Sequence, residues 1–264
     1  MLRDSPGHGG SEFIFGRNPV AEALRAGRPV TKVMVAAGGT GQARKTILRL
    51  ARERRVPVVE VDRRKLDSIA GSDTVHQGVV AVVSPRGYVE PEDILMLARS
   101  RNEDPLVTVI SGVLDPQNFG AILRSASAAG SHGAIIRERR QVGLTAAVSK
   151  AAAGAVEHIG VARVPNIPAA LRWLKDQGLW IVAAHQDARQ VLWDVDLSGP
   201  LAVVVGGEDA GVRPAEMKEC DLVVSIPMVP GSVSSLNASA AYAVLIYEVI
   251  RQRRAKSETR RTLP

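Results

Sequence analysis

The sequence predicts a two-domain α/β protein whose second domain is a doubly wound parallel sheet. Short apolar runs recur after Pro105, and segments with helical periodicity separate most of them: LVTVIS, GAII, VARV, WIVAA, LAVVVGG and LVVSIP. Near-continuous apolar strands of this kind are typical of a parallel sheet whose two faces are both covered by helices. A chain of 264 residues with 45% hydrophobic residues can bury one large core and a smaller one.

The residues before this sheet predict a smaller α/β domain over 12–84. Helical and extended patterns alternate along this segment. We predict helices over 18–26, 42–54 and 64–69 and strands over 32–36, 58–61 and 78–83. The apolar stripe of the second helix is predicted to consist of Ile47, Leu48 and Ala51.

Composition predicts the remaining boundaries of the chain. Residues 1–11 are rich in Gly, Ser and Pro without periodicity, which predicts a disordered leader. Residues 85–104 contain Pro85, Gly87 and Pro91 and are followed by Pro105, which predicts a linker with one short helix over 94–98. The sheet domain is predicted over 105–252, and a basic, disordered tail is predicted over 253–264.

Basic residues are concentrated in two regions of the chain. The net charge is +7, but the surplus of Lys and Arg lies in 44–65 and 251–264, and the remainder is slightly acidic. In the first region, Arg44, Arg52 and Arg55 are expected to face solvent or RNA. A solvated helix face explains one such cluster, whereas two clusters favour RNA as the partner. Aromatic residues make up only 3% of the chain, so contacts to phosphate and ribose are expected rather than base stacking.

Several protein classes are disfavoured by what the sequence lacks. The single cysteine, Cys220, excludes an intramolecular disulfide and is expected to be a packing residue. The five histidines are scattered, so no metal site is predicted. Because the sequence has no apolar stretch of membrane-spanning length and no signal-peptide core, we expect no membrane association and a cytoplasmic protein.

Ligands of a doubly wound sheet bind beyond the carboxyl ends of its strands, so the residues that follow each apolar run are candidates for chemistry. DPQNFGAILRSA follows the run LVTVIS. We predict Asn118 as the N-cap of a helix and place Arg124 one turn in, near the positive end of the helix. A cation is unfavourable there, which suggests an anionic neighbour such as a phosphate.

Two further strand ends carry polar residues beside glycines. In LAVVVGGEDAGVRP the glycines permit a close backbone approach and put Glu208 at the mouth of the sheet, although Glu208 and Asp209 also suit an ordinary turn. In the loop after LVVSIP, Ser235 and Asn237 are candidates, with capping of the following helix as the alternative. Neither GxGxxG nor GxxxxGK[ST] occurs, which disfavours a dehydrogenase or a phosphate-loop NTPase.

The three strand-end segments together resemble the motifs of the SpoU-type RNA ribose 2′-O-methyltransferases, a TrmH-like group of the SPOUT superfamily. The segments are NFGAILRSA, VVVGGEDAGVRP and SIPMVPGSVSSLNASAAYAVLIYE, and they occur in the family's order. FGRNPVAEAL and HQGVVAVV are similar to the small RNA-binding domain of the subgroup that methylates guanosine in 23S ribosomal RNA. The resemblance covers residues 13–252. One departure is the Val229-Pro230 insertion, which makes the third loop one residue longer than in that subgroup.

This resemblance implies a trefoil-knotted catalytic domain, a homodimer and S-adenosylmethionine as cofactor. By position in the motifs, Gly206, Ile226 and Leu236 would hold the cofactor. The residues of the reaction centre would be Asn118, Arg124, Glu208, Ser235 and Asn237. We interpret Arg124 as a clamp on a phosphate and the incipient alkoxide, because a guanidinium is protonated at every ordinary pH. The identity of the general base stays open.

The favoured substrate is a guanosine of 23S ribosomal RNA, although the sequence does not name the nucleotide. Two alternatives stay open. One is a transfer-RNA or antibiotic-resistance ribosomal-RNA 2′-O-methyltransferase of the same family. The other is a non-catalytic RNA-binding protein of the same fold, which would keep the basic regions but bind no S-adenosylmethionine.

Overall fold

The computed structural model describes residues 12–39, 41–71, 74–84, 87–139, 141–208, 211–229 and 235–262, with side chains as far as Glu258. The leader that we predicted over 1–11 lies outside the described residues. The helices and strands, in chain order, are β1 (Glu12–Phe15), α1 (Arg17–Arg25), β2 (Val30–Ala36), α2 (Gln42–Glu53), β3 (Val58–Val61), α3 (Arg63–Ala70), β4 (Val79–Val83), α4 (Pro91–Ser100), β5 (Leu106–Ser111), α5 (Pro116–Ala128), β6 (Gly133–Arg137), α6 (Ala146–Ala151), β7 (Gly160–Val164), α7 (Ile167–Asp176), β8 (Trp180–Ala184), β9 (Gln190–Val191), β10 (Leu201–Gly206), α8 (Pro214–Met217), β11 (Leu222–Ser225) and α9 (Ala238–Thr262).

The chain divides into two compact units. Unit 1 comprises the described residues up to Gly87 together with Leu144–His158, and unit 2 comprises Tyr88–Gly143 together with the described residues from Ile159 onward. The chain therefore passes from one unit to the other more than once. Our predicted boundaries treated each domain as one continuous segment, so they assigned 144–158 to the catalytic domain.

Unit 1 is built on a four-stranded sheet in the order β1-β4-β2-β3. β4 lies between β1 and β2, pairs antiparallel with both and has every residue buried. β2 and β3 are parallel and are joined through α2, as a β-α-β crossover requires. β1 was not predicted, because a strand of four residues at the end of a polar segment carries too short a pattern.

The arginines in and directly after α2 differ in their exposure to solvent. The buried face of the helix consists of Ile47, Leu50 and Ala51, so the predicted stripe is confirmed at Ile47 and Ala51 and wrong at Leu48, which is half-buried. Arg44 is not a free surface residue, because its guanidinium donates to the carbonyl of Ala36 and pairs with Glu60. Only the other two arginines that we singled out are exposed, namely Arg52 and Arg55.

A buried ion pair connects segment 144–158 to the rest of unit 1. The guanidinium of Arg28 lies 2.8 Å from Glu157 and 2.6 Å from Glu12, and the side chains of Arg28 and Glu157 are only 6% and 4% exposed. A buried guanidinium requires such partners to offset its desolvation. His158 also hydrogen-bonds to Glu22. Sequence periodicity shows that a segment has an apolar face but not which core receives it.

Unit 2 is built on a seven-stranded sheet in the order β7-β6-β5-β10-β8-β11-β9, in which every pairing is parallel. One face of the sheet shares a core cluster with residues of α4 and α7, including Ile94 and Leu171. On the opposite face, Thr108 of β5 hydrogen-bonds to Tyr242 of α9 at 2.6 Å. Helices therefore cover both faces, and the predicted doubly wound parallel sheet is confirmed.

The segment predicted as a linker, 85–104, is mostly part of unit 2. α4 is longer than the short helix expected over 94–98, and it buries Ile94, Leu95 and Ala98. Gly133 of β6 permits this packing, because a Cβ atom there would lie 2.5 Å from Ile94. Pro91, one of the residues that suggested a linker, instead occupies the first turn of α4, where proline is favourable.

The basic tail, predicted as disordered over 253–264, is helical as far as Thr262. It continues α9 without a break from Ala238. Arg253 explains part of this order, because its guanidinium donates to the carbonyls of Asp104, Pro105 and Gly199 at 2.6–3.0 Å. Charge composition suggested disorder, whereas these contacts depend on distant backbone groups. Among the described residues, no helix is both long and apolar enough to cross a membrane.

Candidate active site

A cavity of about 390 Å³ opens at the carboxyl ends of the central strands of unit 2. Its walls come from the residues that follow β8, β10 and β11 and from the first turns of α9. This is where a doubly wound sheet places its ligands. Five predicted site residues lie in the lining, namely Gly206, Glu208, Ile226, Ser235 and Leu236.

Two glycines allow the loops around this cavity to touch through their backbones. A Cβ atom on Gly206 would lie 1.9 Å from the carbonyl carbon of Gly211 and 2.2 Å from the amide nitrogen of Val212. A Cβ atom on Gly207 would lie 2.1 Å from the carbonyl oxygen of Gly112. Since no side chain fits at these distances, the cavity wall consists of exposed backbone at this point.

Asn118 is not the helix N-cap that we predicted. Asp115 is the N-cap of α5, and its carboxylate accepts hydrogen bonds from the backbone N–H groups of Gln117 and Asn118 at 3.1 and 3.2 Å. The helix begins earlier than expected because Pro116 suits its first position. The side chain of Asn118 is therefore free to make contacts outside the helix.

Asn118 uses that freedom to connect the three motifs. Its Nδ2 donates to Glu208 Oε1 at 2.6 Å, and its Oδ1 accepts from Nδ2 of Asn237 at 3.0 Å. Asn237 Oδ1 in turn accepts from the backbone N–H of Ser239 at 2.9 Å at the start of α9. Asn237 thus has both of the functions considered for it, since it bonds to the helix start and belongs to the cluster. These bonds fix the amide orientations and hold the Glu208 carboxylate.

Arg124 lies apart from the other candidates. Its side chain is exposed, it is not among the residues that line the cavity, and within the described part of the chain it has no recorded hydrogen bond or ion pair. It also lies more than two turns into α5, because the helix begins at Pro116. The predicted dipole penalty is therefore wrong, since that effect fades within the first turn.

Several cavity residues were missed by sequence reasoning. His185 and Gln186 follow β8, and Met228 and Tyr242 complete the lining. The strand-end rule that selected Glu208 would also have found His185 after the run WIVAA. Tyr242 lies in α9 and is buried. Burial raises the pKa of its phenol above the usual range, which fits a structural role.

Cys220 adds no reactive thiol to this site. Burial raises the pKa of the Cys220 thiol to about 12, with the neighbouring Asp221 as a further cause, so the thiol is protonated at neutral pH. Cys220 packs against the core of unit 2, as a packing residue does. Among the described residues, no group of three or more His, Cys, Asp or Glu side chains is arranged to hold a metal ion.

Comparison with known proteins identifies the family of this fold and site. Residues 105–247 match the SpoU rRNA methylase family, and residues 13–89 match the family of RNA 2′-O ribose methyltransferase substrate-binding domains. The chain belongs to the SpoU rRNA methylase family. The SpoU match contains all three strand-end motifs, so the predicted resemblance is confirmed at the level of the family.

Relatives of similar length support this family membership. A Bacillus subtilis protein described as a TrmH family tRNA/rRNA methyltransferase is 38% identical over 94% of this chain and 98% of its own length. A tRNA/rRNA methyltransferase of Mycobacterium leprae is 42% identical over 92% of this chain and 78% of its own length. The crystal structure of the SpoU methyltransferase AviRb from Streptomyces viridochromogenes, solved in complex with AdoMet, matches with a TM-score of 0.78, 27% identity and coverage of 93% and 91% of the two chains.

Proposed function

We propose that this SpoU family chain transfers a methyl group from S-adenosylmethionine to a ribose 2′-hydroxyl of RNA. The observation that carries this proposal is the hydrogen-bonded cluster of Asn118, Glu208 and Asn237 beside the cavity. The match of residues 13–89 to a 2′-O ribose methyltransferase substrate-binding domain supports ribose as the acceptor. The AdoMet in the AviRb complex supports the methyl donor.

The cavity of unit 2 fits this cofactor. Its volume of about 390 Å³ lies within the range of roughly 300–1,000 Å³ that is usual for small-molecule sites. Ile226 and Leu236 supply apolar walls, and Gly206 allows the backbone of Gly211 and Val212 to pack directly against the end of β10 at the cavity. When bound there, S-adenosylmethionine supplies the methyl group.

The polar cluster gives the chain a means of positioning the ribose. Asn118 and Asn237 hold each other and the Glu208 carboxylate in fixed orientations, while Ser235 lies in the cavity lining and has no hydrogen bond to another described residue. Fixed donors and acceptors of this kind accelerate a transfer chiefly by orienting the reacting hydroxyl. We assign Arg124 to the RNA phosphate and the developing alkoxide, where a guanidinium stabilises negative charge.

This assignment of Arg124 requires a second subunit. Because Arg124 does not line the cavity of its own chain, we propose a homodimer in which it reaches the partner's site. Two exposed apolar side chains near these elements support an interface, namely Leu114 just before α5 at 61% exposure and Tyr247 on α9 at 52%. The trefoil knot implied by the family belongs to the same proposal, and the close backbone contacts at Gly206 and Gly207 support it.

For the substrate, we propose a guanosine of 23S ribosomal RNA and hence a cytoplasmic enzyme. The similarity of FGRNPVAEAL and HQGVVAVV to that subgroup supports this choice. A related structure described as a tRNA-modifying enzyme from A. aeolicus, with 29% identity, a TM-score of 0.53 and coverage of 62% of this chain and 85% of that chain, keeps transfer RNA as the second candidate. The description of the matched family as rRNA methylases favours ribosomal RNA.

The direct test is methyl transfer by the full-length protein from labelled S-adenosylmethionine. Purified 23S ribosomal RNA and transfer RNA would be offered in parallel, and methylated positions would be mapped by their resistance to alkaline hydrolysis. We expect label in a 2′-O-methylguanosine of 23S ribosomal RNA. Label only in transfer RNA would overturn the substrate assignment. RNA binding without cofactor binding or transfer would show the non-catalytic alternative to be correct.

A further inference from the structure

Unit 1 contains a second cavity, of about 250 Å³, at one end of its sheet. The residues that follow β2 and those that begin β4 form its floor, over 36–39 and 77–79. Three arginines complete the wall, namely Arg17, Arg44 and Arg63. No Asp or Glu is among the described lining residues, and Arg44 is paired with Glu60 outside the lining, so the cavity carries a net positive charge.

The first turns of three helices meet at this basic cavity. Arg17 and Arg63 are the first residues of α1 and α3, and Arg44 lies in the first turn of α2. None of the three helices has an acidic residue in its first turn. A cation near the positive end of a helix dipole is unfavourable. No side-chain cap offsets this at α1 and α2, whereas the carboxylate of the N-cap Asp62 offsets it at α3. An anion in the cavity would interact favourably with the uncapped ends of α1 and α2 and with the arginines.

The fold positions two of these arginines and leaves the third available. Arg44 donates to the carbonyl of Ala36 at 2.7 Å, and Nε of Arg17 donates to the carbonyl of Gln77 at 3.1 Å. Arg63 is exposed and has no recorded side-chain partner within the described residues. Gly38, with φ of 70°, has no atom within 4 Å of where a Cβ would be, so a ligand can approach the backbone there.

We propose that this cavity binds a backbone phosphate of the RNA substrate. The proposal rests on the proposed function, because RNA supplies the anion. Guanidinium groups and helix N-termini are the usual partners of phosphate oxygens. None of the described lining residues is aromatic, which disfavours a stacked base as the occupant. The phosphate site gives unit 1 a fixed point of attachment for RNA, in addition to diffuse attraction by exposed basic residues such as Arg52 and Arg55.

A matched pair of variants on α3 tests this site. Arg63 and Arg64 are adjacent, exposed and equally charged, but only Arg63 lines the cavity. Binding of full-length protein to 23S ribosomal RNA transcribed in vitro would be measured by filter binding over a range of salt concentrations. We expect Arg63→Gln to weaken binding by about tenfold and to lower the salt slope by about one unit. Arg64→Gln should weaken binding by less than about threefold. Equal losses in both variants would overturn the proposal.

A second variant changes the charge of the cavity while keeping a local hydrogen bond. Gln77 Oε1 accepts from the backbone N–H of Arg17 at 3.2 Å, and a glutamate at 77 can accept the same bond. Gln77→Glu should therefore unfold at the normal temperature but bind RNA about tenfold more weakly. Normal RNA affinity in this variant would contradict a phosphate site.

Inorganic phosphate distinguishes RNA from a free phosphorylated ligand. We expect phosphate to compete with RNA for the unmodified protein and to compete less effectively for Arg63→Gln. If Arg63→Gln loses phosphate binding but keeps its RNA affinity, the cavity serves a small ligand and our proposal is wrong. Calorimetry with S-adenosylmethionine measures cofactor binding at the cavity of unit 2. Failure of the unmodified protein to bind the cofactor would count against the proposed methyl transfer, whereas RNA binding alone decides the phosphate site.

Discussion

The side chain of Asn118 hydrogen-bonds to residues of both other motifs, Glu208 and Asn237. Its amide cannot also cap α5, because Asp115 already accepts from the free N–H groups at that helix end. The two neighbouring polar residues therefore have separable roles. Asp115 stabilises the start of the helix, and Asn118 organises the polar cluster.

Because the two roles are separate, we predict that substitution of Asp115 lowers stability and that substitution of Asn118 lowers the rate of methyl transfer. Asp115→Ala should lower the free energy of unfolding by about 1 kcal/mol, because it leaves the first N–H groups of α5 without their acceptor. Asn118→Ala should lower the rate of methyl transfer by about a hundredfold, because the Glu208 carboxylate loses its positioning donor. Urea unfolding and labelled-methyl assays of both variants would check this. A large stability loss in Asn118→Ala with normal turnover would reverse our assignment.

His132 is a second residue whose contacts define its state. The ring is buried, its Nδ1 accepts from the N–H of Leu106 at 3.0 Å, and its Nε2 lies 2.9 Å from a Glu103 oxygen. Since Nδ1 accepts, the proton of the neutral ring is on Nε2. Burial lowers the pKa of this imidazole, although the hydrogen bond to Glu103 acts in the opposite direction.

This lowered pKa predicts that the folded state loses stability as the pH falls below about 6.5. The unfolded histidine takes up a proton from that pH downward, whereas the folded one resists until its own lower pKa, so protonation favours unfolding in between. Urea unfolding between pH 7.5 and pH 5.5 would show the decline, and His132→Gln should remove part of it. His185→Gln, at a half-exposed position, serves as the control. An unchanged profile in His132→Gln would refute the prediction.

At the scale of elements, β10 and the loop after it determine the wall of the cofactor cavity. Gly206 ends β10 and meets the backbone of Gly211 and Val212, and Gly207 meets that of Gly112 after β5. Neighbouring strand ends therefore touch main chain to main chain. Even a methyl group would push these loops apart, because its neighbours are backbone atoms and not flexible side chains.

Gly206→Ala should therefore abolish S-adenosylmethionine binding and lower the free energy of unfolding by about 3 kcal/mol or more. Gly199→Ala is the matched control in the same unit. Gly199 does not have a positive φ, and no atom lies within 4 Å of where its Cβ would be, so the change should stay within about 0.5 kcal/mol. Calorimetry and urea unfolding supply the two readouts. Normal cofactor affinity in Gly206→Ala would show that this backbone contact does not shape the site.

At the scale of the whole molecule, the two units share the chain in an interleaved way. Segment Leu144–His158 leaves unit 2, packs within unit 1 around the Arg28–Glu157 ion pair, and then returns to unit 2. Deleting residues 1–104 would therefore remove the partners of that segment, including Arg28, and would also remove α4 from unit 2. Oligomeric state is better measured on the full chain, by light scattering at micromolar concentration.

The proposed dimer predicts complementation between two inactive variants. Arg124→Ala and Asn118→Ala should each methylate RNA at least about a hundredfold more slowly. If Arg124 serves the partner's site, random mixing of the two variants restores about a quarter of the normal sites, because half of the dimers are mixed and each has one intact site. Co-expression of both variants followed by methyl-transfer assay would test this. No recovery in a dimer shown to be mixed would place Arg124 in its own chain's site.

The sequence by itself determined the α/β class, the parallel sheet of unit 2, most elements of unit 1 and the family. Those features depend on residues that are close together in the sequence. An apolar run such as that of β5 and a contiguous motif such as GGEDAG can both be recognised without a structure. The same strand-end rule found Glu208 and Asn237, because parallel strands bring their carboxyl ends to one edge.

Only the tertiary structure decided which distant groups meet. Asn118, predicted as a helix cap, connects the three motifs instead, because α5 begins at Pro116. Arg253, predicted in a disordered tail, lies in a helix and donates to the carbonyls of Asp104 and Pro105. The basic cavity of unit 1 likewise depends on three helices that begin at one place. These contacts join residues far apart in the chain, and a linear pattern holds no information on which buried donor meets which acceptor, because that pairing is set by packing of the whole fold.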